Sequence, residues 1–404
     1  MKKEKKGEIL ISIIMPVYNN ERYFPYAVRS VLGQELDDRY SIELIIVDDG
    51  STDRTPEIAD QFASKDDRVK VIHQENQWIY ASFNNGIEEA NGKYIYILNS
   101  DDKLYAHTLK YLQEKIREYH EPDIVFTRIV VCACDDEQNV FKTWNLGDPG
   151  LAAEIKENYY NSAEDVRENW LYFKKCGLIS SQANLYKREL ALKHPFRTEF
   201  YAADAIYNME IAGDVNDCLT LNKDVYMHLL YGREDMNAAT GKYYGNEHAM
   251  WNELFLLSKR VYSGWGILDF QHMEAIKTER IAWLCYELST ITSGACKLTL
   301  EEKIRVIFQE EIDDIIMECF GNERREELDS RLLCSAKELF FQEEPDRNSP
   351  VFFAFELVEA LFHFESNHED LMRIKKGVYH TDNPWHIGER FYERLEKNCL
   401  FSID

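Results

Sequence analysis

Glu43-Leu44-Ile45-Ile46-Val47-Asp48-Asp49-Gly50-Ser51-Thr52-Asp53 runs from an unbroken apolar, β-prone segment straight into paired carboxylates. A second stretch repeats the arrangement, with Tyr94-Ile95-Tyr96-Ile97-Leu98 stopping on Asn99-Ser100-Asp101-Asp102. Apolar runs of this kind fit strands buried on both faces of a parallel sheet, and open α/β sheets bind ligands at the carboxyl ends of such strands. Ordinary polar turns select the same residue types. Two pairs about fifty residues apart, with helical patterns between them, favour a shared acidic rim over two unrelated turns. Such crowding needs a cation, a bound donor group or a proton to offset the repulsion.

Outward from these stretches, strand and helix signals alternate. Residues 11–15 predict a first strand, followed by Phe24, Ala27, Val28, Val31 and Leu32 at helical spacing. A helix is expected to start at Thr55-Pro56, read as a cap and a first-turn proline. Residues 68–72 predict a third strand, and 79–90 a helix closed by Asn91-Gly92. After the second acidic pair, 105–119 reads as helix and 123–131 as a fifth strand. That succession predicts a mononucleotide-binding α/β half. From 132 to 235 the pattern is irregular. After about 245 it becomes helical, over 253–262, 273–288, 301–320 and 352–364, with breakers at Gly264-Trp265-Gly266 and between Pro345 and Pro350. A carboxy-terminal all-helical domain follows.

The length of 404 residues exceeds one ordinary core, so two or three domains are expected. Hydrophobic content of 45% excludes a mostly disordered chain. A net charge of −25 opposes nucleic-acid binding through phosphates and general affinity for anionic lipid. The amino-terminal lysines are read as a flexible solubilising end, with local peripheral membrane contact as the alternative. No apolar segment approaches the roughly 18 residues that span a bilayer, and the run 351–364 is broken by Glu356 and Glu359. No apolar stretch follows the basic amino terminus as a secretory signal would require, so the expected location is cytoplasmic. Nine cysteines without a C-x-x-C pair read as reduced thiols, not as a disulfide or zinc framework.

Read together, the strand ends resemble the nucleotide-sugar glycosyltransferases of family 2. Pro16-Val17-Tyr18-Asn19, Asp48 to Asp53, Asn76-Gln77, Asn84-Asn85-Gly86-Ile87 and Gly92 to Asp102 occur in that family's order. The resemblance covers roughly 9–235 and implies the GT-A fold, a Rossmann-like mixed sheet flanked by helices. With the patterns outside it, the expected division is a flexible basic end (1–8), a nucleotide-sugar-binding half (9–131) and an acceptor-binding half (132–240) implied by the resemblance, and the helical domain (241–404). The resemblance further implies that Pro16, Val17, Tyr18, Asn19, Glu21, Asp49, Asn84 and Asp101 hold the donor, with Asp48 structural. Asp102 and Asp101 would bind Mn2+ or Mg2+.

Asn184 to Leu190 and Ala203-Asp204 look like the segments around the family's catalytic carboxylate, which makes Asp204 the expected general base; the alternative is a helix N-cap. The chain departs from the family at Asn99 and Ala203, where carboxylates are usual, at Phe83 for arginine and at Trp78 for glycine. The last two would put bulk near the donor pocket. His228 and Arg233 fall where relatives close the site, although Gly232-Arg233-Glu234-Asp235 favours a surface turn. Of the aromatics Tyr159, Tyr160, Trp170, Tyr172, Phe173, Phe200, Tyr201 and Tyr207, most are expected in the core.

The implied activity is metal-dependent, inverting transfer from a UDP-linked sugar to a glycan or lipid-linked acceptor at the inner face of the membrane. The helical domain would serve oligomerisation or acceptor docking. A sugar nucleotidyltransferase would need a glycine-rich loop where Pro16 to Asn20 stand. A catalytically impaired binding or scaffold protein is the other reading, suggested by Asn99 and Ala203. No Gln-x-x-Arg-Trp string marks a processive synthase.

Overall fold

The computed structural model describes residues 8–231, 243–307, 314–321 and 324–342. The chain enters as β1 (Glu8–Val17), α1 (Phe24–Leu32), β2 (Tyr40–Asp48), α2 (Thr55–Lys65), β3 (Val69–His73), α3 (Ile79–Glu88) and β4 (Tyr94–Ile97). It continues through β5 (Lys103–Leu104), α4 (Thr108–Glu118), β6 (Ile124–Cys134), β7 (Val140–Asn145), α5 (Pro149–Glu154), β8 (Asn158–Tyr160) and α6 (Ala163–Lys175). Next come β9 (Leu185–Lys187), α7 (Arg188–Lys193), α8 (Ala203–Ile211) and β10 (Cys218–Tyr231).

Among the described residues the strands form one ten-stranded sheet, ordered β3-β2-β1-β4-β9-β6-β10-β5, with β7 on β6 and β8 on β10. The first four run parallel. β9 is antiparallel to both β4 and β6, making the sheet mixed. The fifth predicted strand, observed as β6, therefore lies beyond β9 and not beside β4, so the simple mononucleotide-binding order stops at β4. Nothing in residues 123–131 announces this, because the intervening strand comes some sixty residues later in the chain.

Both faces of the central strands are buried. Ile11, Ile13 and Met15 of β1 join a core with Phe24, Ala27, Val28 and Val31 of α1 and Leu109, Leu112 and Ile116 of α4. Ile14, from the other face of β1, meets α3, where a Cβ on Gly86 would lie 2.5 Å from Ile14 Cγ2. Each fully buried isoleucine or valine contributes about 1.5–3 kcal/mol. Pro16 is tolerated in β1 because Ile14 O accepts from Leu98 N at 3.0 Å. Even-numbered residues thus address β4, and Pro16 lies past the last paired residue of that strand.

Two local expectations are corrected. The cap of α2 is Arg54 and not Thr55; Asp53 Oδ1 already accepts from Thr55 N at 2.9 Å, and the Thr55 hydroxyl accepts from Asn20 N. Gly92 does not close α3 in a left-handed conformation. It is small because a Cβ there would lie 2.5 Å from Ser12 N.

The chain divides into two compact units, one comprising Met1–Asn237 with Arg260–Ile267 and the other Ala238–Lys259 with Leu268–Asp404. After residue 246 every described element is helical, in α9 (Glu247–Gly264), α10 (Phe270–Thr292), α11 (Leu300–Arg305), α12 (Asp314–Phe320) and α13 (Arg325–Gln342). Within the second unit Trp251 stacks on Trp283 at 3.6 Å, and the buried Arg280 pairs with the buried Glu287 at 2.8 Å. The predicted helix over 352–364, the amino-terminal lysines and Arg233 lie outside the described residues. Cys132, Cys134, Cys176, Cys218, Cys296 and Cys319 are free, buried thiols. Trp170, Phe173 and Tyr207 are core residues, whereas Tyr159, Tyr160, Tyr172, Phe200 and Tyr201 are partly buried.

Candidate active site

Because β2 and β4 flank β1, both acidic strand ends emerge beside the loop that follows Val17. That loop stitches them together. Asn19 N donates to Ser51 Oγ at 2.9 Å while Asn19 Oδ1 accepts from Thr52 N at 2.7 Å. Asn20 N donates to Thr55 Oγ1 at 3.0 Å, and Asn20 Nδ2 reaches Ser100 Oγ at 3.1 Å. Glu21 accepts from Arg54 N at 3.0 Å, so its carboxylate braces the loop after β2. Pro16 and Val17 are buried strand residues, and Tyr18, just past the strand, is exposed.

Asp48 accepts from Ser51 N at 3.1 Å and from His73 Nδ1 at 2.9 Å, the structural role expected of it. Asp49 takes three donors: Gln74 Nε2 at 2.7 Å, Gln77 N at 2.8 Å and Trp78 N at 2.9 Å. A carboxylate offers about four acceptor positions, so about one is left for a ligand N–H. The other three order the segment that opens α3. Trp78 there has φ 78° and ψ 160°, a conformation that costs a non-glycine residue on the order of 1–3 kcal/mol and persists only when its surroundings enforce it. Gly50 meets a related demand, since at φ 75° a Cβ would stand 2.9 Å from Asn76 N.

Phe83 and Asn84 are placed differently from the sequence reading. Phe83 is fully buried and packs on Tyr80 and Phe196; its bulk belongs to the core and not to a pocket. Asn84 spends its amide on the backbone of Phe196, donating to O and accepting from N at 2.8 Å each. It pins the segment leading to α8.

At the end of β4, Asp102 is wholly buried and accepts from Tyr226 OH at 2.6 Å, Leu229 N at 2.8 Å, His228 Nδ1 at 3.1 Å and Asn99 Nδ2 at 3.4 Å. His228 therefore lies in β10 against the acidic pair, not in the surface turn expected. Burial opposes the charged ring, but the Asp102 carboxylate and then Asp101 outweigh it and hold His228 up to about 9. Burial and the neighbouring Asp102 charge push Asp101 up to about 7. The protonated imidazole thus offsets part of the carboxylate crowding.

Tyr226 and Leu229 escaped sequence reasoning because they follow Asp102 by more than a hundred residues. The alternation of Tyr226 and His228 on one strand face was the available signal. Among the described residues no group of three or more His, Cys, Asp or Glu side chains is placed to hold a metal. Asn99 Oδ1, however, is buried and finds no hydrogen-bond donor among them. A hard oxygen left unpaired beside Asp101 and Asp102 fits a divalent cation completed by phosphate and water.

Asp204 sits in the first turn of α8, whose cap is Ala202, so the N-cap alternative does not hold. Burial raises its pKa, and the Ala205 N–H and the Tyr80 hydroxyl, 3.3 Å away, partly oppose this. Asn208 Nδ2 ties the Asp204 carbonyl at 2.8 Å. Asp49 and Asp204 are thereby joined through the first turn of α3, from Trp78 N to Tyr80 OH.

Residues 12–189 match the model of glycosyl transferase family 2. The chain is 30% identical over 223 residues to glycosyltransferase GlyA of Streptococcus pneumoniae, covering 54% of this chain and 30% of GlyA. It is 29% identical over 238 residues to the uncharacterized glycosyltransferase EpsJ of Bacillus subtilis, covering 57% and 63%. With the minor teichoic acid biosynthesis protein GgaA of B. subtilis it shares 36% over 104 residues, covering 25% and 23%. It thus spans less than two thirds of each of these relatives. Among solved structures, S. aureus TarS 1–349 in complex with UDP aligns with TM-score 0.55 at 18% identity, covering 89% of this chain and 93% of that one. That likeness is one of fold.

Proposed function

From the premise that residues 12–189 belong to glycosyl transferase family 2, we propose that the chain transfers a sugar from a UDP-sugar to a hydroxyl of a surface glycan or its lipid-linked precursor, with inversion. The observation that carries this reading is the meeting of the β1, β2 and β4 ends, held by Asn19 and Asn20. TarS, of similar fold, has been solved with UDP and with UDP-GlcNAc. Asp49, with one acceptor position left, suits an imide N–H of the base. Asp204, made more basic by burial, suits removal of the acceptor proton near neutral pH. Attack then comes from the face opposite the departing diphosphate. Mn2+ or Mg2+, held by Asp101 and Asn99 Oδ1 and completed by phosphate and water, would stabilise the charge growing on that diphosphate; Asp102, its acceptor positions taken by Tyr226, His228, Leu229 and Asn99, would lie beside the ion and not ligate it as the sequence suggested. The acceptor side is assigned to the membrane's inner face, although no described helix is long and apolar enough to cross a membrane.

Asp204→Asn decides between an enzyme and a binding protein. The expected outcome, measured as UDP release from UDP-GlcNAc and UDP binding by calorimetry, is a loss of turnover of about 10²–10⁴ with affinity retained. Nucleotide binding without turnover in the parent chain would favour the scaffold reading instead.

A further inference from the structure

Tyr80 is buried, and its ring is fixed by aromatic neighbours independently of Asp204. It stacks on Phe196 at 5.6 Å and meets Phe83 edge-on at 5.8 Å; Phe196 in turn stacks on Tyr207 at 3.9 Å. The Phe196 backbone is pinned by Asn84, and α3 starts at the Trp78 N–H held by Asp49. The hydroxyl is therefore delivered to Asp204 Oδ1 by scaffold packing.

We propose that Tyr80 is the positioning residue of the base, its hydroxyl donating to Asp204 Oδ1 and holding that carboxylate in one orientation toward the acceptor. This rests on the reading of Asp204 as base. Among the described residues, the titratable groups that act on the pair include Tyr201 from the segment before α8 and Tyr186 from β9. Tyr186 spends its hydroxyl on Ser180 O and Asn208 Oδ1. Tyr80 donates its hydroxyl to Asp204 Oδ1 at 3.3 Å. A donor to the charged form favours that form, so Tyr80 limits the rise that burial imposes on Asp204.

The test is Tyr80→Phe in the full chain, which deletes one oxygen and keeps the ring stack. Aspartate labelled with 13C at the carboxyl reports the Asp204 titration, its resonance identified by its loss in Asp204→Asn. The expected result is a midpoint raised by about half to one pH unit with the melting temperature nearly unchanged. The acid limb of kcat/KM for UDP-GlcNAc turnover should move up equally, giving a roughly three- to tenfold loss well below that limb. An unmoved Asp204 midpoint in Tyr80→Phe overturns the proposal. Full turnover in Asp204→Asn removes the base itself, and it is distinguishable because the titration does not depend on activity.

Discussion

Glu43, away from the acidic rim, shows how a single buried carboxylate fixes the sheet. It accepts from Ser12 Oγ at 2.6 Å and Gly92 N at 3.2 Å and pairs with Lys70 Nζ at 2.7 Å. Burial pushes its pKa up, but Lys70, Ser12 and the Asn91 N–H outweigh this and leave it below the usual glutamate value. A depressed folded-state pKa contributes stability that is present above the unfolded value of about 4.3 and is lost as pH falls through the folded value. Glu43→Gln is expected to cost about 1–3 kcal/mol at pH 7 and proportionally less at pH 3, read from urea unfolding at the two pH values. The importance of Asp48, Asp49, Asp101 and Asp102 was legible because each pair ends a buried apolar run. The donors that fill Asp102 were not, since hydrogen bonds between residues 102 and 226–229 leave no local pattern.

At the scale of elements, α3 is the piece on which the site depends. Its first turn takes Asp49's hold at Trp78, its second residue reaches Asp204, and its later residues pack on β1 and pin Phe196. Gly86 allows the close approach to β1. Gly86→Ala would force Ile14 aside, with an expected destabilisation of about 1–3 kcal/mol, and because the helix carries Tyr80 it should also lower turnover; thermal unfolding and UDP release measure the two. The helix itself was legible from apolar spacing between Ile79 and Ile87. Its role was not, because Phe83 and Asn84 were read against a donor pocket while the tertiary structure turned them toward Phe196.

At the scale of the molecule, the residues proposed for the donor site, Asp49, Asp101 and Asp204 among them, all fall within the first compact unit. UDP in hundredfold excess over its dissociation constant should stabilise that unit by about 2.7 kcal/mol by mass action, a shift of several degrees in its melting transition. Mn2+ should enlarge the shift and EDTA should remove the increment. An identical UDP shift in EDTA would take the cation out of the donor site.

The individual strands of a parallel sheet and their acidic ends were readable from contiguous residues, because a buried strand and the turn after it form one local pattern; their order β3-β2-β1-β4 came from the structure. Five short stretches in one order also carried the resemblance to the family whose model residues 12–189 match. The folded chain alone shows that β9 enters between β4 and β6, that His228 and Tyr226 close on Asp102, and that Tyr80 faces Asp204. These are pairings between segments far apart in the chain, and their specificity lies in complementary packing and hydrogen bonding that neither partner encodes alone.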